Sequence, residues 1–162
     1  MLKFYRPETY RVRDSVGYLV RRAGNLMTGG VEDAFAHRDI TFAQWLVLMY
    51  LRDGLANTAA EIARGMCHDT GALTRVIDQL EQRGFIERSR SLEDRRTVEL
   101  SLTEEGARTV NALVPTVVGM LNATLADFTE NEARELTRLL GKLVNGIQAA
   151  TQADAKQLEP LS

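Results

Sequence analysis

A chain of 162 residues with 44% hydrophobic and 26% charged side chains has the mixture of an ordinary globular domain, long enough to bury its own core. Aromatics at 6% and only three prolines argue against a large β-sandwich, and a single cysteine, Cys67, excludes an intramolecular disulfide or an all-cysteine metal site. The N-terminus MLKFYRPETYRVRD lacks a secretory h-region, and no apolar run approaches the roughly 18 residues of a membrane span. A soluble, cytoplasmic protein is therefore expected. The formal charge of -2 weighs against a polyanionic partner, but it is segregated: residues 1–30 carry an excess of four positive charges and the arginine-rich stretch 83–96 an excess of two.

Apolar residues recur with helical spacing at Val12, Val16, Leu19, Val20, Ala23, Leu26 and Met27, and resume at Val31, Ala34 and Phe35. The pattern predicts a long first helix over 10–36, loosened at Gly29 and Gly30. Three later helix starts share one chemistry: Thr41 with Gln44, Thr58 with Glu61 and Thr129 with Glu132 each fit the capping box, in which threonine and the acid or amide exchange backbone hydrogen bonds. They predict helices over 42–51, over 58–65 with an end near Gly65, and from 129 to about Ala150. Between them, Asp69 to Arg83 forms a helix closed by Gly84. There Leu73, Val76, Ile77 and Leu80 make one buried stripe, and Gly71, Thr74, Arg75, Asp78, Gln79 and Gln82 fall on the opposite face.

After Gly84 the period changes. Phe85–Arg90 and Thr97–Leu102 read as strands, the second with Val98, Leu100 and Leu102 facing inward. Between them lies a polar tip, Ser91 to Arg96. Thr103 then caps a helix that Pro115 should kink. The last helix is expected to bury Leu136, Leu139, Leu140, Leu143, Val144 and Ile147, and the residues beyond Ala150 to fray. The fold class is thus mainly α: a helix-turn-helix followed by a β-hairpin wing, flanked by helical ends. One domain over 1–162 is expected, with the winged lobe at 41–102 and helical dimerisation segments at 1–40 and 103–150.

A helix entering the major groove needs small or hydrogen-bonding side chains on its first turns, and Thr70, Gly71, Ala72 and Thr74 meet that demand. Arg75 can make a bidentate contact to guanine, and Arg95 and Arg96 at a hairpin tip suit a minor groove, with Asp94 near enough to hold one of them. Taken singly, each of these is equally an ordinary solvated residue. Taken in the order helix, turn, helix, wing, they favour DNA.

The run DTGALTRVIDQLEQRGFIERSRSLEDRRTVELSLTEEG, Asp69 to Gly106, resembles the core signature of the MarR (multiple antibiotic resistance regulator) family, most specifically at Asp94-Arg95-Arg96, Leu102-Thr103 and Gly106. The resemblance implies a homodimer whose terminal helices interlock, with two recognition helices in successive major grooves of a pseudo-palindromic, double-stranded operator. By position it implies that Asp69, Thr70, Gly71, Thr74 and Arg75 face the major groove, and that Arg96 reaches the minor groove steadied by Asp94. A repressor released by a small aromatic or anionic effector is expected. An effector pocket would draw on Tyr18, Arg22, His37, Trp45 and Met49, with Arg22 or His37 meeting the anion. Plain core packing explains several of these as well.

No cofactor is expected, and no P-loop, HExxH or GxSxG motif points to an enzyme. His37 and His68 stand apart, without a ligand cluster. Cys67 reads chiefly as a small buried hydrophobe, and relatives that sense oxidants do so through a cysteine of the first helix, where this chain has none. The competing function is a winged-helix protein-interaction module without a specific DNA target, which would place apolar residues where Arg75 and the wing arginines stand.

Overall fold

The computed structural model describes residues 4–67, 69–91 and 94–157; His68, Leu92 and Glu93 lie outside the described residues, and with them any metal-binding or wing-tip role for those three. The described residues fall into two compact units, divided after Met120.

The first unit opens with a 3-10 turn, Val12–Asp14, and helix α1, Val16–Phe35. This is later than the residue 10 expected from periodicity. The apolar spacing runs on through residues 12–15, but Ser15 is extended, and its hydroxyl accepts the Tyr18 N–H at 3.3 Å as the N-cap. The Tyr5 hydroxyl accepts a second free donor, the Val16 N–H, at 2.8 Å. Gly29 and Gly30 do not interrupt α1. A Cβ on Gly30 would lie 3.6 Å from the Met120 sulfur, so helix continuity there comes with close side-chain packing.

Helix α2, Phe42–Arg52, starts at a reciprocal capping box between Thr41 and Gln44, and Glu32 of α1 accepts the Phe42 N–H at 2.9 Å. Gly54, at φ +63°, makes the left-handed turn that follows it. Helix α3, Ala59–Met66, begins at Thr58, but Glu61 returns its bond to Asn57 N–H rather than to Thr58 N–H. It ends at Met66, one residue beyond Gly65, with the C-cap Cys67 in the left-handed region at φ +51°. Cys67 is exposed, which corrects the expectation of a buried thiol: it closes the helix at the surface in the left-handed conformation. Gly65 is needed for a different reason, since a Cβ there would meet the Tyr50 ring at 2.5 Å.

Helix α4, Thr70–Gln82, follows directly. Leu73, Ile77 and Leu80 are buried as expected, with Val76 half-buried beside them. The helix closes at Gly84, φ +71°, where the Phe85 N–H bonds the Leu80 carbonyl in the Schellman manner. Strands β1, Ile86–Arg90, and β2, Val98–Leu102, form an antiparallel hairpin in the register Ile86↔Leu102 to Arg90↔Val98. Leu100 is buried and Leu102 half-buried, but Val98, 47% exposed, is not an inward residue. It pairs at the far end of the hairpin, beyond the reach of the helical core.

Thr103 caps helix α5, Glu104–Thr124, by accepting the Gly106 N–H at 3.0 Å, while its own hydroxyl donates to the Gly84 carbonyl at 2.6 Å. Gly106 is obligatory here, because a Cβ would fall 1.9 Å from the Phe85 carbonyl oxygen. The helix runs through Pro115 without a break. Phe35, Val47, Leu48, Ile62, Leu73, Ile77, Leu80, Ile86 and Val110 form the fully buried centre of this unit, each contributing about 1.5–3 kcal/mol of hydrophobic stabilisation.

The second unit holds the end of α5 and helix α6, Glu130–Gln157, which starts at a second reciprocal box between Thr129 and Glu132. The helix passes Ala150, so the expected fraying there does not occur at 151–157. Its apolar seam is not buried within the chain: Leu136, Leu139, Leu140, Val144 and Ile147 are 38% to 58% exposed, and Leu143 is half-buried. Periodicity identified the face correctly; the chain by itself does not cover it.

Candidate nucleic-acid interface

Asp69 is the N-cap of α4, and its Oδ1 accepts the N–H groups of Gly71 and Ala72 at 2.9 and 3.0 Å. The carboxylate is therefore spent on two of the helix's free donors. The Thr74 hydroxyl donates to the Thr70 carbonyl at 2.9 Å, which leaves its oxygen lone pairs and methyl to the surroundings. Thr70, Gly71, Thr74 and Arg75 are all exposed, and Arg75 makes no ion pair among the described residues. An exposed, unpaired guanidinium beside two small residues is what a groove-reading surface needs.

The wing tip is fixed by Asp94, which holds Arg96 through its backbone N–H rather than its guanidinium. Its Oδ1 accepts the backbone N–H of Arg96 at 3.0 Å, its Oδ2 accepts the Thr97 hydroxyl at 3.2 Å, and its carbonyl accepts the Thr97 N–H at 2.8 Å. This is an Asx-type turn in which the aspartate shapes the backbone. Arg95 and Arg96 stay exposed, without ion-pair partners among the described residues. The root of the wing is anchored on both edges. Leu100 N–H donates to the Asn57 carbonyl at 2.7 Å on one side, and on the other Arg88 of β1 pairs with Asp78 and Glu81 of α4 at 2.5 and 2.8 Å.

Two of these contacts lie outside the reach of the sequence patterns. Gln44, only 6% exposed, donates from Nε2 to Gln79 of α4 at 3.0 Å, joining the start of α2 to a residue assigned above to a solvated face. Arg88 lay in a predicted strand, with no rule to pair it across the Gly84 turn. Its only signal was the i, i+3 spacing of Asp78 and Glu81.

The residues expected to line an effector pocket separate in the structure. Tyr18 and Arg22 meet on α1, hydroxyl to guanidinium at 3.3 Å, and with Arg21, Asn25 and Leu26 they line a cavity of about 420 Å³. Trp45 is buried between Phe35 and Phe42, at ring-centroid distances of 6.0 and 5.9 Å, and its Nε1–H has no partner among the described residues. Met49 is half-buried on α2, and His37 is exposed in the turn after α1. Among the described residues no group of His, Cys, Asp and Glu converges as a metal site, and no helix is long and apolar enough to cross a membrane.

A helix pair followed at once by a hairpin with a cationic tip defines the winged helix-turn-helix class of DNA-binding proteins. Comparison with known proteins gives the family. The model of the MarR family matches residues 40–98. The chain is 30% identical over 125 residues to the HTH-type transcriptional repressor MdtR of Bacillus subtilis (strain 168), covering 77% of this chain and 78% of that one. A mutant MarR from E. coli complexed with operator DNA superposes with a TM-score of 0.70 at 29% identity, over 79% of this chain and 92% of the other. BpsR from Bordetella bronchiseptica, whose DNA binding is regulated by 6-hydroxynicotinic acid, superposes with a TM-score of 0.74 at 27% identity, over 83% and 96%. The chain belongs to the MarR family, and it is a DNA-binding transcription regulator.

Proposed function

We propose that the protein acts as a homodimeric repressor on a pseudo-palindromic operator. In this reading the lobe at 41–102 binds DNA, and the segments 1–40 and 103–150 dimerise. Helix α4 of each protomer lies in a major groove, with Thr70, Gly71, Thr74 and Arg75 toward the bases and Asp69 closing the helix end. Arg95 and Arg96 enter the flanking minor groove from the turn that Asp94 shapes. The carrying observation is the set of three exposed guanidiniums, Arg75, Arg95 and Arg96, each presented by a locally fixed backbone and none spent on an internal ion pair among the described residues.

A small aromatic anion is the effector this reading favours. The Tyr18–Arg22 pair on its cavity supplies an aromatic wall and a cation, and one similar protein, BpsR, is regulated by such a molecule. His37, Trp45 and Met49 would act on that site only indirectly.

Gel shifts of the purified protein on the DNA flanking its own gene test the proposal. The half-sites should lie about one helical turn, ~34 Å, apart. Arg96→Ala should weaken binding to all sequences alike, and Arg75→Ala should also lose about 1–3 kcal/mol of base discrimination. A panel of aromatic acids added to the same assay should include one that releases the DNA. Wild-type affinity in both variants would overturn the residue assignment.

A further inference from the structure

The recognition helix carries acids where a DNA-binding surface should avoid them. Asp78 lies seven residues after Gly71, nearly two turns on and therefore on almost the same face, about 10 Å along the axis. That separation is comparable to the Debye length near 0.1 M salt, so a bare carboxylate there would be felt by phosphates held at the start of the helix. Glu81 stands one turn further on. Asp69 raises no such difficulty, because its charge is spent on the helix N-terminus.

Both remaining acids converge on one cation. Arg88 projects from β1 and places NH2 2.5 Å from Asp78 Oδ1 and NH1 2.8 Å from Glu81 Oε2. The three side chains are 32% to 46% exposed, and the contact is made at the junction of helix and strand. One guanidinium with two separate N–H edges suits this task, whereas a lysine would present a single point of charge.

Resting on the DNA-binding reading above, we propose that Arg88 is a positioning residue for DNA binding: it covers Asp78 and Glu81 so that the groove-facing side of α4 is not anionic, and it does not itself contact a phosphate. The acids of this helix are thus covered by a residue ten positions beyond Asp78, across the Gly84 turn.

The test uses the full-length protein and a mixed-sequence DNA duplex at low salt, where binding does not depend on knowing the operator. Arg88→Met should weaken binding about tenfold, the worth of roughly one phosphate contact near 0.1 M salt. Adding Asp78→Asn and Glu81→Gln to it should restore affinity to within about threefold of wild type, because no carboxylate then needs cover. Asp78→Asn with Glu81→Gln alone should bind at least as tightly as wild type, and this measurement stands even if Arg88→Met fails to fold. If the triple variant stayed as weak as Arg88→Met, Arg88 would be a direct phosphate contact or a purely geometric tie, and the proposal would fall. Weakened binding by the double variant would have the same meaning. Absence of duplex binding by the wild type would instead sink the DNA-binding reading itself, and this inference with it.

Discussion

The exposed side chains of α4 and the wing tip, and those of α1 and α6, ask for opposite partners. On the first surface Thr70, Gly71, Thr74, Arg75, Arg95 and Arg96 are polar or bare, and their backbones are held by Asp69 and Asp94. By contrast, Val16, Leu19, Val20, Leu26 and Met27 of α1 in the first unit, and separately Leu136, Leu139, Leu140, Val144 and Ile147 of α6 in the second, are apolar and open. A solvated cationic surface is stable alone and gains from a polyanion. An apolar helical stripe left in water forfeits about 25 cal/mol for every Å² it could have buried, which another protein surface would recover. The difference teaches that exposure alone does not define function. Its chemistry separates a surface suited to a polyanion from apolar stripes suited to another protein surface, which in the reading proposed above is a second copy of the chain.

The largest effect should come from breaking the second region. Leu139→Asp would place a carboxylate in the middle of the α6 stripe. If a second copy covers that stripe, the unpaired charge should weaken association by at least about a hundredfold, near 3 kcal/mol, and operator binding should fall with it. Sedimentation equilibrium measures this directly. A wild-type protein that is monomeric at micromolar concentration would overturn the assignment of this surface.

A smaller effect, confined to the first unit, should follow from Gly106→Ala. Its Cβ would sit 1.9 Å from the Phe85 carbonyl oxygen, so the α4–β1 turn and the start of α5 must move apart. Overpacking of this kind costs about 1–3 kcal/mol, a fall in Tm of roughly 2–12 °C. Assembly mass should be unchanged while Leu139→Asp leaves the lobe's packing intact, so the two variants separate the two regions. A change in oligomeric state in Gly106→Ala would show that they are not independent.

Local chemistry was legible in the sequence wherever a bond closes within a few residues. The Thr41–Gln44 and Thr129–Glu132 boxes, the Leu73–Ile77–Leu80 stripe and the Gly84 closure all stand as their residues suggest. Periodicity also identified the α6 seam, but it reports which residues share a face and not what covers it, and in the single chain these residues are exposed. The start of α1 was misplaced because apolar spacing continues past the point where Ser15 and the distant Tyr5 hydroxyl supply caps. Cys67 was misjudged because residue type alone favours buried cysteines, whereas its place at the end of α3 is exposed. In the candidate site the residue types and positions were readable, but not the partners. Asp94 could equally have gripped a side chain or a backbone, and Arg88 and Gln44 act across turns that no local spacing rule spans.

The smallest expected effect tests whether the two regions also differ in how their helices are closed. Glu132 accepts the Thr129 N–H at 2.8 Å and the Thr129 hydroxyl at 2.7 Å, and these bonds hold its carboxyl below the ordinary glutamate value of 4.5. Glu61, in the DNA-binding lobe, is lowered in the same direction by the Thr58 hydroxyl and the Asn57 N–H. A carboxyl whose pKa is depressed on folding contributes stability that is fully present above the unfolded value and is lost as pH falls through the folded one. Acidification below the usual carboxylate range should therefore loosen the first turns of α3 and α6 together. Glu132→Gln keeps an oxygen that can accept the Thr129 N–H but has no charge to lose. Its helical circular dichroism should change less between neutral and acid pH than that of the wild type, and so should that of Glu61→Gln. Equal acid responses in wild type and both variants would mean that these caps add nothing pH-dependent. A response confined to Glu132→Gln would mean that the lobe's own packing, rather than its cap, holds α3 in place.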